Sequence, residues 1–413
     1  MKRLILLYLC IAICSFRLYA QKIETERIKK HITYLAGDKL QGRFPGTKGE
    51  KKAAKYIIKQ FEKAGLQPMG NLYYFQEFPM KYNPNPHDTS DKGTIKTKGQ
   101  NIVGFLNNDA EYTIVIGAHY DHLGYGHAGN SMDKEAVNQI HNGADDNASG
   151  TTGVIELAHH FAKNDRKENY NLLFICFSGE EEGLLGSKFF TNNPTYPLEK
   201  ISCMINMDMI GRLNDSTHKL MVSGTGTAAL WEPLLNKLIA DNTYLKLKTD
   251  SAGMGPSDHA SFYLKNIPVL HFFSGLHSDY HKPTDDIEKI NFYGQKQILD
   301  FIVKVINETS KEAKPTFLPT RNPQTERVAF KVTLGIVPDY SFEGPGLRMD
   351  GVSPDKPAQK AGLQAGDVLV GMNDLTITGM KDYMQALAKF KKGDTVTIHF
   401  IRNGKKESTQ ATF

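Results

Sequence analysis

Five apolar runs constrain this chain more than any other feature: Asn101 to Leu106, Tyr112 to Ala118, Asn171 to Phe177, Ile201 to Met207 and Ile267 to Phe273. A strand with one wet face alternates polar with apolar residues, so unbroken runs of this length read as central strands covered on both sides. Between them, Glu50 to Ala64, Gly150 to Lys163, Ala228 to Asn242 and Phe292 to Lys311 repeat apolar residues at three- and four-residue spacing, the pattern of helices packed along one stripe. The alternation predicts an α/β fold with a mixed, mostly parallel sheet sandwiched by helices. Ligands are then expected beyond the carboxyl ends of the strands.

The residues directly after these runs are chemically alike. Ala118 leads into His119-Tyr120-Asp121-His122, Phe177 into Ser178-Gly179-Glu180-Glu181-Glu182, Met207 into Asp208, and Phe273 into His277-Ser278-Asp279-Tyr280-His281. A further loop, Gly143 to Gly150, carries Asp145 and Asp146 and opens a helix. Carboxylates gathered and buried at one sheet edge are costly without cations to compensate them. Imidazoles with carboxylates form an N/O donor set suited to zinc, with manganese or cobalt as substitutes, and a carboxylate-bridged ion pair is a common hydrolytic device.

The strings Gly117-Ala118-His119-Tyr120-Asp121, Gly143 to Gly150, Glu180-Glu181-Glu182-Gly183-Leu184-Leu185-Gly186-Ser187, Asn206-Met207-Asp208-Met209-Ile210-Gly211 and Ser278-Asp279-Tyr280-His281-Lys282-Pro283 resemble, in order and spacing, the secreted co-catalytic-zinc aminopeptidases of the leucyl aminopeptidase and aminopeptidase Y type. The resemblance spans nearly all of residues 24 to 312, including Tyr34 to Asp38 and Gly42-Arg43. It implies the zinc exopeptidase fold and two Zn2+ ions, with His119 and Asp208 on one, Glu181 and His281 on the other, and Asp146 bridging. It also implies Glu180 as general base and Tyr280 as a hydrogen-bond donor to the developing oxyanion. Asp121, two residues after His119, is expected to accept that imidazole's other N–H. His122, His127, His141 and His259 match no ligand position and read as ordinary structural residues. Ser257-Asp258-His259 resembles another recurrent string without an assignable role. Gly124 to Ile140 is an extended polar insertion expected at the pocket rim, and the segment near residues 78 to 100 is too short for an inserted domain.

Three prolines between Lys314 and Pro323 predict a stiff extended linker over residues 314–326. Beyond it, Val332 to Val337, Ala361-Gly362-Leu363, Gly366-Asp367-Val368-Leu369, a helix at Met380 to Phe390 and Thr395 to Arg402 resemble a small, β-rich bacterial PDZ domain over residues 327–413. Such domains hold a peptide's terminal carboxylate on backbone N–H groups, and Leu334-Gly335-Ile336 would form that loop. Packing against the enzyme is the other use open to such a domain.

Residues 1–20 place Lys2 and Arg3 before ten essentially apolar residues and end in Leu18-Tyr19-Ala20, the layout of a secretory signal peptide. Ten apolar residues fall short of the ~20 that span a membrane. The mature chain, from residue 21, is expected to be exported, periplasmic or secreted, with the enzyme domain over 21–313. Its net charge would fall from +5 to +2, because Lys2, Arg3 and Arg17 leave with the leader. Near-neutrality and the lack of a basic cluster interleaved with aromatics argue against a nucleic-acid partner. Cys176 and Cys203 would remain, both in apolar runs, and pairing in an oxidising compartment stays open.

The whole chain admits three readings. The first is an aminopeptidase acting on peptides with a free N-terminus; the second is a glutaminyl-cyclase-like acyl transferase on the same fold. The third is an inactive binding protein whose PDZ unit recruits partners. All five ligand positions and the base are filled, which favours an enzyme.

Overall fold

The computed structural model describes residues 22–82, 95–127, 130–136, 138–320, 332–338, 342, 344–353 and 355–413. The expected leader and residues 321–326 of the linker lie outside them. Helices α1 (Thr25–Leu35) and α2 (Lys48–Ala64) come first. Thr47 starts α2 by accepting the Glu50 amide N–H, and Gly65 stops it in the left-handed region at φ 86°. Next come β1 (Gln67–Pro68), β2 (Phe75–Tyr82), β3 (Ile95–Leu106), β4 (Thr113–His119), α3 (Gly150–Ala162), β5 (Asn171–Phe177), α4 (Leu185–Asn192), β6 (Ile201–Met207), β7 (Lys219–Ser223), α5 (Trp231–Ala240), β8 (Lys246–Asp250), α6 (His259–Tyr263), β9 (Val269–Phe273) and α7 (Phe292–Thr309).

These strands form one sheet in the order β1-β3-β5-β4-β6-β9-β7-β8, with β2 paired to β3 off that path. The middle, β5-β4-β6-β9, is parallel, so four carboxyl ends share one edge. Every residue of β4, β5 and β6 is buried, as unbroken apolar runs require. Alternate residues serve two cores. Ile114, Ile116, Leu172, Phe174 and Ile205 face α1, α2, α3 and α7. Val115, Leu173, Ile175 and Met204 face Phe190 of α4 and Phe262 of α6.

The run at 101–106 is the buried half of a longer strand, β3, which joins β5 antiparallel and whose exposed first half pairs with β2. The short, partly exposed β7 and β8 carry no apolar run to announce them. Cys176 and Cys203 are free. Strand β4 separates their strands, and they face opposite ends of it, Cys176 beside Ala118 and Cys203 beside Ile114, beyond disulfide reach.

The described part of the expected linker lies against this unit rather than free of it. Leu318 N–H donates to the Thr227 carbonyl (2.8 Å), Thr320 Oγ1 accepts the Gly253 N–H (3.0 Å), and Phe317 packs on Tyr263. After residue 331 comes a separate antiparallel sheet with its own core. It comprises β10 (Ile336–Pro338), β11 (Leu347–Val352), α8 (Pro357–Lys360), β12 (Val368–Met372), β13 (Leu375–Thr376), α9 (Met380–Leu387), β14 (Thr395–Arg402) and β15 (Lys405–Thr412). Its first strand begins at Ile336. Leu334 and Gly335 precede it as a loop whose carbonyls accept from Ala358 and Ser353 N–H at 2.8 and 2.7 Å. Among the described residues no helix is long and apolar enough to cross a membrane.

Candidate metal centre

His119 is the last residue of β4, and Asp208 directly follows β6. His119 Nδ1 lies 3.3 Å from the Asp121 carbonyl, and the Thr151 hydroxyl donates to the His119 carbonyl at 2.7 Å. That leaves Nε2 facing carboxylates, 3.2 Å from Asp208 Oδ1 and 3.4 Å from Asp146 Oδ1. On the other side, His281 Nδ1–H donates to the Asn130 carbonyl (3.0 Å), and its Nε2 stands 3.2 Å from Asp146 Oδ2 and 3.0 Å from Glu181 Oε2. Asp146 therefore turns one oxygen to each imidazole.

This arrangement fits metal ions. Each imidazole spends its Nδ1 on a carbonyl, so the lone pair falls on Nε2, aimed at carboxylate oxygens. His281 Nε2 is buried and makes no hydrogen bond of acceptable geometry. Two overlapping groups, His119 with Asp146 and Glu181, and His119 with Glu180 and Asp208, each offer donor atoms within 4.8 Å of one another. An N/O set of this kind suits zinc-type divalent cations.

Adjacent Glu180 and Glu181 are driven apart in acidity. Burial, then Asp208, Glu181 and Asp258, push the Glu180 carboxyl well above the usual range against the pull of His119. Burial and Asp146 act the same way on Glu181, but His281 and a hydrogen bond from His122 outweigh them and hold it at about 2. The two neighbouring carboxyls thus differ in proton affinity. Tyr280 stacks on His281 with ring centroids 3.9 Å apart, and burial, then Asp146 and Glu181, raise its phenol so that it stays a donor.

Asp121 differs from expectation. Its carboxylate is 3.8 Å from His119 Nδ1, too far for a hydrogen bond, and accepts instead from the backbone N–H of Glu180 (3.2 Å) and Glu181 (3.4 Å). It holds the Glu-Glu turn, while its backbone carbonyl meets the imidazole. His122 departs too: fully buried, its Nδ1 lies 2.7 Å from Glu181 Oε1. Of the other three histidines, His127 bonds Asn138, His141 bonds Ser131, and His259 stacks on His271. The insertion supplies Asn130, whose side chain also donates to Glu182 (3.3 Å). Ser257 Oγ accepts from Asn206, and Asp258 is fully buried, its carboxyl pushed by that burial up to about 7.

Three supports were given no role from the sequence, Arg43 among them although it lies in a matched string. The Asp285 carboxylate accepts the N–H groups of Asp145 and Asp146, at 3.0 Å each from Oδ2. Arg43 is buried and donates to the carbonyls of Leu35, Tyr120, Asn142 and Gly143, tying the His119 loop to the Asp146 loop; burial lowers its guanidinium to about 10. Glu50 bonds Tyr120, Ser178 and the Gly46 N–H, and burial pushes its carboxyl up to about 7. Tyr120 has one proton for two acceptors, Glu50 and the Gln100 carbonyl at 2.6 Å, so a proton on Glu50 completes the pattern.

A parallel sheet centre that gathers two imidazoles and four carboxylates beyond its carboxyl edge is the architecture of the zinc exopeptidase fold. Residues 101–306 match the model for peptidase family M28 and residues 328–412 that for the PDZ domain, so the chain carries an M28 peptidase domain followed by a PDZ domain. Aminopeptidase YwaD of Bacillus subtilis is 27% identical over 294 residues, 64% of this chain and 60% of its own length. Solved structures of a leucine aminopeptidase precursor and a glutaminyl cyclase, both from Bacteroides thetaiotaomicron, share the fold at TM-score 0.54 and 18% identity. Each covers 70% of this chain, and 98% and 99% of its own length respectively. The chain spans about half the length of the curated relatives it matches.

Proposed function

We propose that this chain is an exported aminopeptidase that removes N-terminal residues from peptides with two zinc ions, manganese or cobalt serving as substitutes. The observation that carries this is Asp146 standing between two imidazoles with one oxygen toward each. His119 and Asp208 would hold one ion, Glu181 and His281 the other, and Asp146 both. Bound there, the ions supply Lewis acidity to the scissile carbonyl and lower the pKa of water. Glu180 takes a proton from the attacking water as its oxygen bonds to the carbonyl carbon, then delivers that proton to the amine as the C–N bond breaks. The Tyr280 hydroxyl donates to the oxygen that gains charge.

The domain reading is a leader over 1–20, the enzyme over 21–313, a linker over 314–326 and the PDZ domain over 327–413. The Leu334-Gly335-Ile336 loop would take a peptide's terminal carboxylate. The purified mature chain should cleave aminoacyl chromogenic amides, lose that activity to a chelator and carry about two zinc per molecule. Cyclisation of N-terminal glutamine without amide cleavage, at one zinc per chain, would establish the cyclase reading instead. Metal without either reaction would turn attention to the PDZ ligand.

A further inference from the structure

His122 lies just beyond the first ligand string, at a position that reads as an ordinary loop residue. Its ring is fully buried under the turn that carries Asp146. A Cβ on Gly143 would come 2.5 Å from that ring, so the left-handed residue at φ 56° leaves the ring its room. Nδ1 points at Glu181 Oε1 (2.7 Å) and lies 3.9 Å from Asp146 Oδ2, while Nε2 has no partner among the described residues. An unpaired buried N–H is rarer than an unpaired acceptor, which places the proton on Nδ1 and makes Glu181 the acceptor. Glu181 is thereby divided: Oε1 is tied to His122, and Oε2 faces His281 Nε2 at 3.0 Å.

We propose that His122 is the positioning residue of the second metal site: by donating to Oε1 it fixes which oxygen of Glu181 is presented to the ion. The proposal rests on Glu181 being a ligand. Glu181 lies four residues past the end of β5, where the sheet no longer dictates a side chain's direction. Hydrogen bonds to ligating carboxylates commonly supply that direction, and losing one costs about ten- to a hundredfold in metal affinity.

Zinc titration of the metal-free full-length mature chain by calorimetry tests this, with zinc content counted afterwards. The parent should show two binding events. His122→Ala should weaken one of them about ten- to a hundredfold and leave the other unchanged. His122→Asn, whose amide nitrogen occupies nearly the place of Nδ1, should restore the weakened event to within a few-fold. If the alanine variant fails to fold, His122→Phe fills the ring's space without a donor and should show the same selective loss. Two unchanged events in the donor-less variant overturn the proposal. So does equal loss in His122→Asn and His122→Ala, the signature of His122 being itself a ligand. A parent chain that binds fewer than two zinc ions overturns the reading of Glu181, and the proposal with it.

Discussion

The two halves of the candidate metal centre are built differently. His119 ends β4 and Asp208 follows β6 at once, so sheet register sets both donors within one residue of a fully buried strand. Glu181 and His281 stand four and eight residues beyond β5 and β9, in loops. There the residues are placed by groups from elsewhere: the Asp121 carboxylate on the N–H of Glu181, the His122 ring on its carboxylate, the Asn130 carbonyl on the His281 ring. A donor at a strand end inherits its position from the sheet, whereas a donor on a loop needs a partner for each degree of freedom left open.

The largest expected effects fall where the halves meet. Asp146→Ala should strip metal from both sides and leave activity at background, read by zinc content and turnover together. Glu180→Gln should keep both ions and lower kcat by about 10²- to 10⁴-fold; normal turnover in that variant would dismiss Glu180 as the base.

A smaller effect probes the buried brace behind the strand ends. The Glu50 carboxyl is raised to about 7 in the folded chain, whereas an exposed glutamate titrates near ~4.3. The folded state holds the proton over that window, so the contribution is complete below about 4.3 and lost as pH rises through about 7, on the order of 3 kcal/mol. Glu50→Gln keeps a neutral group of the same shape, and its melting temperature should fall less between pH 5 and 8 than the parent's. Parallel curves would show that Glu50 is ionised throughout.

The smallest effect sharpens the contrast itself. Thr151→Val removes the hydroxyl that bonds the His119 carbonyl, costing about 1 kcal/mol of stability but leaving zinc affinity unchanged, because β4 holds the residue. Were that variant to loosen an ion as much as His122→Ala does, the distinction between the halves would fall.

The same division explains what could be read from the sequence. Unbroken apolar runs marked β4, β5 and β6 nearly to the residue, and a strand end is a definite place, so His119, Asp208 and the Glu180-Glu181 turn stood out. His277 and His281 come after one strand in the same loop, and only the resemblance separated them. The structure sends His277 to Asp145 (3.2 Å) and His281 to Asp146 and Glu181. Arg43 was legible only as part of a matched string, and Glu50 and Asp285 not at all, because their partners are backbone groups or distant side chains, which leave no local pattern. The contacts of Thr320 were not legible because prolines signal extension but not the surface an extended segment lies against.

The separation of Cys176 from Cys203 by a whole strand has a consequence for how the protein matures. Both thiols are fully enclosed, and burial raises that of Cys203 to about 12 and that of Cys176 further, so neither offers a thiolate for exchange. Acquisition of the native peptidase fold thus asks no disulfide of these two cysteines. Reductants and thiol-alkylating reagents should leave Cys176 and Cys203 of the folded chain untouched.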